Sequence, residues 1–133
     1  MANVLMVVGL PGSGKTTYVK NLPDSGYAFF DDPAVSEENM GKVKKAVSEG
    51  LDVVITDVYC LSQNAREKAE KVLRYAGAKC VTWLFFDNNP DACINNVRRR
   101  NDGRSISEHT VRSMSAKYVI PHGAVVLPVF VAK

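Results

Sequence analysis

The run Gly9-Leu10-Pro11-Gly12-Ser13-Gly14-Lys15-Thr16 satisfies the pattern G-x-x-x-x-G-K-[ST] at every fixed position, and no other stretch narrows so far what this chain can become. Glycines let a backbone wrap closely around a polyphosphate, with successive amide hydrogens pointing inward at its oxygens. Lys15 supplies positive charge for the β and γ phosphates. Thr16 offers a hydroxyl to Mg²⁺ at the start of a helix whose positive end faces the anion. The motif requires a strand before it and a helix after it. Val4-Leu5-Met6-Val7-Val8 is a continuous apolar run, as in a strand buried on both faces, and the segment after Thr16 can be helical up to Pro23. Gly9, Leu10, Pro11, Gly12, Ser13, Gly14, Lys15, Thr16 and Thr17 are thus the expected nucleotide-binding residues, with ATP and Mg²⁺ as ligands.

A length of 133 residues fits one domain spanning 1–133 and leaves no room for a separate substrate domain, so an acceptor must bind to the same sheet. With 46% hydrophobic and 23% charged residues the composition is that of a soluble globular protein, and no apolar run approaches bilayer-spanning length. The N-terminal apolar run leads straight into the glycine-rich loop, which is not how a cleavable signal sequence reads, so an intracellular, cytoplasmic setting with no membrane partner is expected. Cys60, Cys80 and Cys93 lack metal-type spacing and read as reduced packing residues. A formal net charge of +3 gives no global argument for nucleic acid. Charge is concentrated locally instead, in Arg98, Arg99, Arg100 and Arg104.

Elements alternate along the chain. Tyr27 to Phe30 reads as a second strand ending at Asp31-Asp32-Pro33, and Ser36 caps a helix that closes before Gly50. Leu51 to Thr56 forms a third strand with Asp57 at its carboxyl end. Ser62 or Asn64 opens a helix with an apolar stripe of Ala65, Ala69, Val72, Leu73 and Ala76 before Gly77. Cys80 to Phe86 is a fourth strand, and Asn89 with Pro90 starts the next helix. Ser105-Ile106-Ser107-Glu108 has a capping-box pattern and introduces a last helix with Val111, Met114 and Tyr118 on one side. Ala124 to Val131, broken by Pro128, is an edge strand or extended chain. Alternation of this kind, joined by right-handed crossovers, implies a three-layer α/β/α sandwich around a four- to five-stranded, mainly parallel sheet covered on both faces. Ligands then gather at the carboxyl ends of the strands, where Asp31, Asp32, Asp57 and Asp87 are expected.

A phosphate loop alone serves switches, motors and kinases alike. Three features favour phosphoryl transfer. Asp57 ends an apolar strand, where a carboxylate holds the water shell of Mg²⁺ or orders an acceptor. Asp31 or Asp32 can accept the proton of an attacking hydroxyl. The arginine group, in a lid at about 98–105, suits charge spread over phosphoryl oxygens, although Arg98 and Arg99 also read as helix-end or solvated residues. Tyr59, just past Asp57, is a candidate for lining an acceptor site together with Asp32 and Asp57. Tyr75 and Trp83 can stack on a base, but Trp83 lies in an apolar strand and reads as core. Lys42, Lys44 and Lys45 are the candidates for holding a monophosphate acceptor. His109 and His122 read as surface residues.

At these residues the chain resembles the kinase domain of phage polynucleotide kinase-phosphatase and related small phage and bacterial P-loop kinases. Gly9 to Thr17 reads as that family's G-x-P-G-S-G-K-[ST]-T, Asp31-Asp32 follows the second strand, and Ile55-Thr56-Asp57 looks like its third-strand motif. Arg100-Asn101-Asp102-Gly103-Arg104 matches an R-N-x-x-R lid, Val111-Arg112-Ser113-Met114 the start of the final helix, and Leu127-Pro128-Val129-Phe130 the ending. The resemblance implies transfer of the ATP γ-phosphate to a hydroxyl of a nucleotide, nucleoside or polynucleotide 5′ end. In it Asp31 is the base, and Arg100 and Arg104 hold phosphates in the transition state. The chain departs from the pattern at Ala34, where the family carries an arginine for a substrate phosphate, and in a shorter segment between the second and third strands. A monophosphate kinase, or an ATP-binding module acting through a partner, is the alternative. No guanine signature of the N-K-x-D type is present, which leans toward ATP.

Overall fold

Residues 2–23, 26–100 and 106–130 are described by the structure, a computed structural model. Five strands, β1 (Ala2–Val8), β2 (Ala28–Asp31), β3 (Val53–Asp57), β4 (Ala78–Phe86) and β5 (Val126–Leu127), form one sheet in the order β2-β3-β1-β4-β5. Every pairing is parallel. The most apolar segments occupy the centre, where both faces must be dry: all five residues of β3 are buried, and β1 is flanked on both sides with Val4 opposite Val53 and Val81.

Helices α1 (Lys15–Lys20), α2 (Glu37–Ser48), α3 (Gln63–Ala76), α4 (Pro90–Arg100) and α5 (Glu108–Lys117) connect them. Their starts follow from local hydrogen bonding at exposed amides. Ser36 Oγ accepts from Asn39 N at 3.1 Å, Ser62 Oγ from Ala65 N at 3.2 Å, and Asn89 Oδ1 from Ala92 N at 3.2 Å. The cap of α5 is Ser107, whose Oγ accepts from Thr110 N at 3.1 Å. This corrects the expected Ser105–Glu108 box, because Glu108 is already the first helical residue and turns outward to the arginines.

Two apolar clusters define the layers. On one face Val4, Met6, Val8, Ile55 and Phe85 meet Val43, Ala46 and Val47 of α2, Leu73 of α3, Cys93 and Ile94 of α4, and Val111 of α5. On the other, Val7, Val54, Leu84 and Phe86 pack around Val19, with Tyr18 and Leu22 at their border. The second outer layer is therefore α1 alone, six residues long, which ends at Lys20 rather than reaching Pro23. A helix so short covers only the loop-proximal half of the face, and Asn3, Cys80 and Thr82 farther down the strands are exposed.

The inner stripe of α3 also differs from the expected one. Val72 is exposed and Arg66 is buried. The arginine is tolerated because its Nη1 donates to Cys60 O at 3.2 Å and its guanidinium lies 5.2 Å from the Phe85 ring centroid. Trp83 packs against Phe85 and donates Nε1–H to Glu70 at 3.0 Å, consistent with its reading as a packing residue.

Candidate active site

Parallel strands bring the chain ends following β1, β2 and β3 to one rim, and the glycine-rich loop fills the middle of it. The loop is braced from below. Gly9 N donates to Asp57 O at 3.2 Å, Ser13 N to Leu10 O at 3.1 Å, and Phe130 N to Ser13 O at 3.0 Å. Gly12 and Gly14 have φ of +84° and +103°, a region closed to most L side chains. A Cβ at Gly12 would lie 2.4 Å from Cys93 O, and one at Gly14 2.6 Å from Phe130 Cβ. Both glycines are thus required by the elements behind the loop as well as by its curvature.

Asn96 of α4 completes this support. It is buried, and its Nδ2 donates to Gly12 O at 2.9 Å and also to Phe130 O, so one side chain ties the loop, the helix and the C-terminal segment together. Sequence reasoning missed it. The available signal was an amide three positions after Cys93, on the buried face of an otherwise apolar turn.

Lys15 is 6% exposed and donates from Nζ to Gly9 O at 3.1 Å and Leu10 O at 3.0 Å. Burial pulls its pKa below the ordinary lysine value, opposed by Asp32 first and then by Cys93, Asp31 and Asp57. The loop carbonyls therefore hold the ammonium at the rim among carboxylates. Ser13 Oγ, fully buried inside the loop, has no hydrogen-bond partner among the described residues. A tight cradle closed to Cβ atoms, an unsatisfied hydroxyl within it and a lysine beside it suit a polyphosphate with its metal.

Above the loop lies a cavity of about 790 Å³ lined by Pro11, Gly12, Gly14, Lys15, Thr16, Thr17, Lys20, Asp31, Asp32, Val35, Val58, Tyr59, Ile106, Thr110 and Met114. Asp31 and Asp32 thus share it with Lys15 and Thr16. Thr56 Oγ1 donates to Asp31 Oδ1 at 2.6 Å, while Asp32 N donates to Thr56 O at 3.0 Å. Asp32 has φ of +46°, which makes it the one non-glycine residue in the left-handed region among those described. Strain of this kind persists where surrounding structure imposes it. Here it turns the chain so that both acids of the pair reach the cavity. Tyr59 lines the same space and is 48% exposed.

Asp57, expected at the acceptor site, is set back from the cavity. It is buried, its Oδ1 accepts from Tyr59 N and from Cys60 N at 2.9 Å, and it does not line the cavity. Its carboxylate organises the turn after β3 and acts on Lys15 through charge. Lys44 and Lys45 are displaced further, onto the opposite end of the molecule, because α2 runs antiparallel to the strands and carries them away from the rim. Arg98 is paired with Glu108 at 2.8 Å, and Arg112 joins Glu108 at 3.1 Å to Asp91 at 2.9 Å, which lashes α4 to α5. Arg100 is the last residue of α4, and Arg104, with most of the expected lid, lies outside the described residues. Among the described residues no three His, Cys, Asp or Glu side chains gather as a metal site, and no helix is long and apolar enough to cross a membrane.

No protein-family model matches the chain. It is 31% identical over 120 residues to an uncharacterized protein of Acanthamoeba polyphaga mimivirus, covering 88% of this chain and 86% of that one. Among solved structures it is similar to a gluconokinase from Sinorhizobium meliloti 1021, with a TM-score of 0.66, 20% identity, and 96% and 82% of the two chains covered. It is also similar to a chain of the Pnkp1/Rnl/Hen1 RNA repair complex, with a TM-score of 0.70, 16% identity, and 87% of this chain but 43% of that one covered. The chain belongs to the same family as the mimivirus protein, and its fold is that of the P-loop NTPases.

Proposed function

We propose that the chain is an ATP-dependent kinase that moves the γ-phosphate to a hydroxyl of a nucleotide, nucleoside or polynucleotide 5′ end. The observation that carries this reading is the shared cavity: the two acids at the end of β2 face the same space as Lys15 and Thr16. A carboxylate facing the phosphate loop can receive the proton of an attacking hydroxyl, which is the role that transfer to an alcohol asks of a side chain. The likeness to kinase folds and to the phage polynucleotide kinase pattern supports the same conclusion.

In this mechanism the acceptor hydroxyl oxygen attacks the γ-phosphorus and its proton passes to Asp31, whose Oδ1 is held by the Thr56 hydroxyl. The bond from the γ-phosphorus to the bridging oxygen breaks and ADP departs. Lys15 stabilises charge on the phosphates, assisted by Arg100 and Arg104 from the lid. Thr16 is the ligand offered to Mg²⁺, with Asp32 and the buried charge of Asp57 nearby. The metal would draw electron density from the phosphate oxygens. Tyr59 forms a wall of the acceptor space. The monophosphate-kinase alternative loses support, since two of its three candidate lysines stand at the far end of the sheet.

Transfer of labelled γ-phosphate, screened across oligonucleotide 5′ ends, 3′-nucleotides, nucleosides and small polyhydroxylated metabolites, tests the proposal. Acceptor-dependent ADP release that vanishes in Asp31→Ala, with ATP binding retained, is the expected result. Folded, ATP-bound protein that transfers to none of these acceptors would leave the binding-module reading in its place.

A further inference from the structure

We propose that the end of the molecule opposite the phosphate loop carries a groove for single-stranded nucleic acid, formed between the C-terminal turns of α2 and α3. In a parallel sheet the helices run back against the strands, so residues late in α2 and α3 lie at the strands' amino ends. There a groove of about 730 Å³ is lined by Lys44, Lys45 and Ser48 from α2 and by Lys71, Val72 and Tyr75 from α3. The site is distinct from the catalytic rim and independent of the phosphotransfer reading.

Its chemistry is one-sided. No carboxylate lines the groove, and among the described residues none of the three lysines forms an ion pair. The lining of the groove thus carries three cations and no anion, with Glu49 and Glu67 one turn away from Lys45 and Lys71 outside it. Tyr75 lines the same groove at 96% exposure, the highest of any large hydrophobic residue described. An aromatic ring exposed in this way is a platform on which an unpaired base can stack. Ammonium groups on two helices beside a free aromatic face match a backbone of phosphates with unstacked bases. A duplex buries those base faces. A second copy docked by the same surface would set three lysines against three lysines.

Fluorescence anisotropy of oligo(dT), about twenty nucleotides long and with its 5′ hydroxyl blocked by the label so that it cannot serve as an acceptor at the catalytic rim, tests the assignment with the full chain, in low salt and without ATP. Binding is expected whose log K falls with log salt at a slope of about −2, as three phosphate contacts on a single strand would give. Replacing Lys44, Lys45 and Lys71 together by Gln should weaken binding at least tenfold and flatten that slope. Tyr75→Ala should weaken it about tenfold with the slope retained. All four side chains are outside the core, so circular dichroism should show folded variants whose MgATP binding is unchanged. Lys15→Ala should bind the oligonucleotide as the parent does. The proposal is overturned by absence of binding in low salt, by binding that survives the groove variants, by loss in Lys15→Ala, or by full competition from a mononucleotide. Sedimentation showing a dimer that the lysine variant dissolves would overturn it as well.

Discussion

Replacing Asn96 tests whether the phosphate loop is shaped by its own glycines or by what stands behind them. Asn96→Leu keeps the volume and removes the donor, leaving the carbonyls of Gly12 and Phe130 without the amide that now reaches both. A buried acceptor deprived of its partner costs about 1–3 kcal/mol, so two of them destabilise the fold by roughly 2–4 kcal/mol once partial access of water at the site is allowed for. For a domain of this size each kcal/mol lowers the melting temperature by about 4 °C, which makes the expected loss roughly 8–16 °C. The protein should still fold at 25 °C, because domains hold about 5–15 kcal/mol in reserve. Since Gly12 O is part of the loop, affinity for MgATP should fall as well, by about tenfold if some 1.4 kcal/mol of the preorganisation is lost. Thermal unfolding followed by circular dichroism, with and without MgATP, and calorimetric titration of the nucleotide read the two effects separately. A melting temperature within 2 °C of the parent together with unchanged affinity would refute the idea that α4 and the C-terminal segment hold the loop.

Gly14→Ala should abolish MgATP binding in the same titration and lower stability, since alanine at φ of +103° is strained by about 1–2 kcal/mol and its methyl group would meet Phe130. Thr56→Val removes the hydroxyl held against Asp31 at 2.6 Å; turnover with any acceptor should drop about tenfold, the worth of one hydrogen bond to a charged group, while ATP affinity measured by calorimetry stays within twofold. Cys93 is pushed up to about 11 by burial, so the folded thiol keeps its proton while the unfolded one loses it above 9. The stability difference between the parent and Cys93→Ala should therefore be constant below pH 9 and shift against the parent by about 1.4 kcal/mol per pH unit between 9 and 11, as read by urea unfolding. With an exposed Cys80 and buried Cys60 and Cys93, a thiol reagent at pH 8 should label one site rapidly and the other two only on unfolding.

The order of the elements and the place of the glycine-rich loop were legible in the sequence because both depend on contacts between near neighbours in the chain. An apolar run before a glycine-rich turn, a serine at the head of α2 or α3, and an asparagine before Pro90 act within a few residues of themselves. The acid pair at the end of β2 was legible for the same reason, since a strand end in a parallel sheet lies at the rim whichever strand is its neighbour. Strand order, the layer made of α1 alone, and the inward turn of Arg66 were settled only in three dimensions, where one chemical group is answered by another far along the chain. Asn96 meets Gly12 across 84 positions, and Phe130 reaches the loop from still farther along the chain. Asp57 shows the limit from the opposite side. Its type and location suited an acceptor site, but two amides in its own turn claimed one of its oxygens. Local chemistry thus named the glycine-rich loop and the acids of the rim, and tertiary packing decided which of them face the cavity, because burial and long-range hydrogen bonds exist only once the strands have been set side by side.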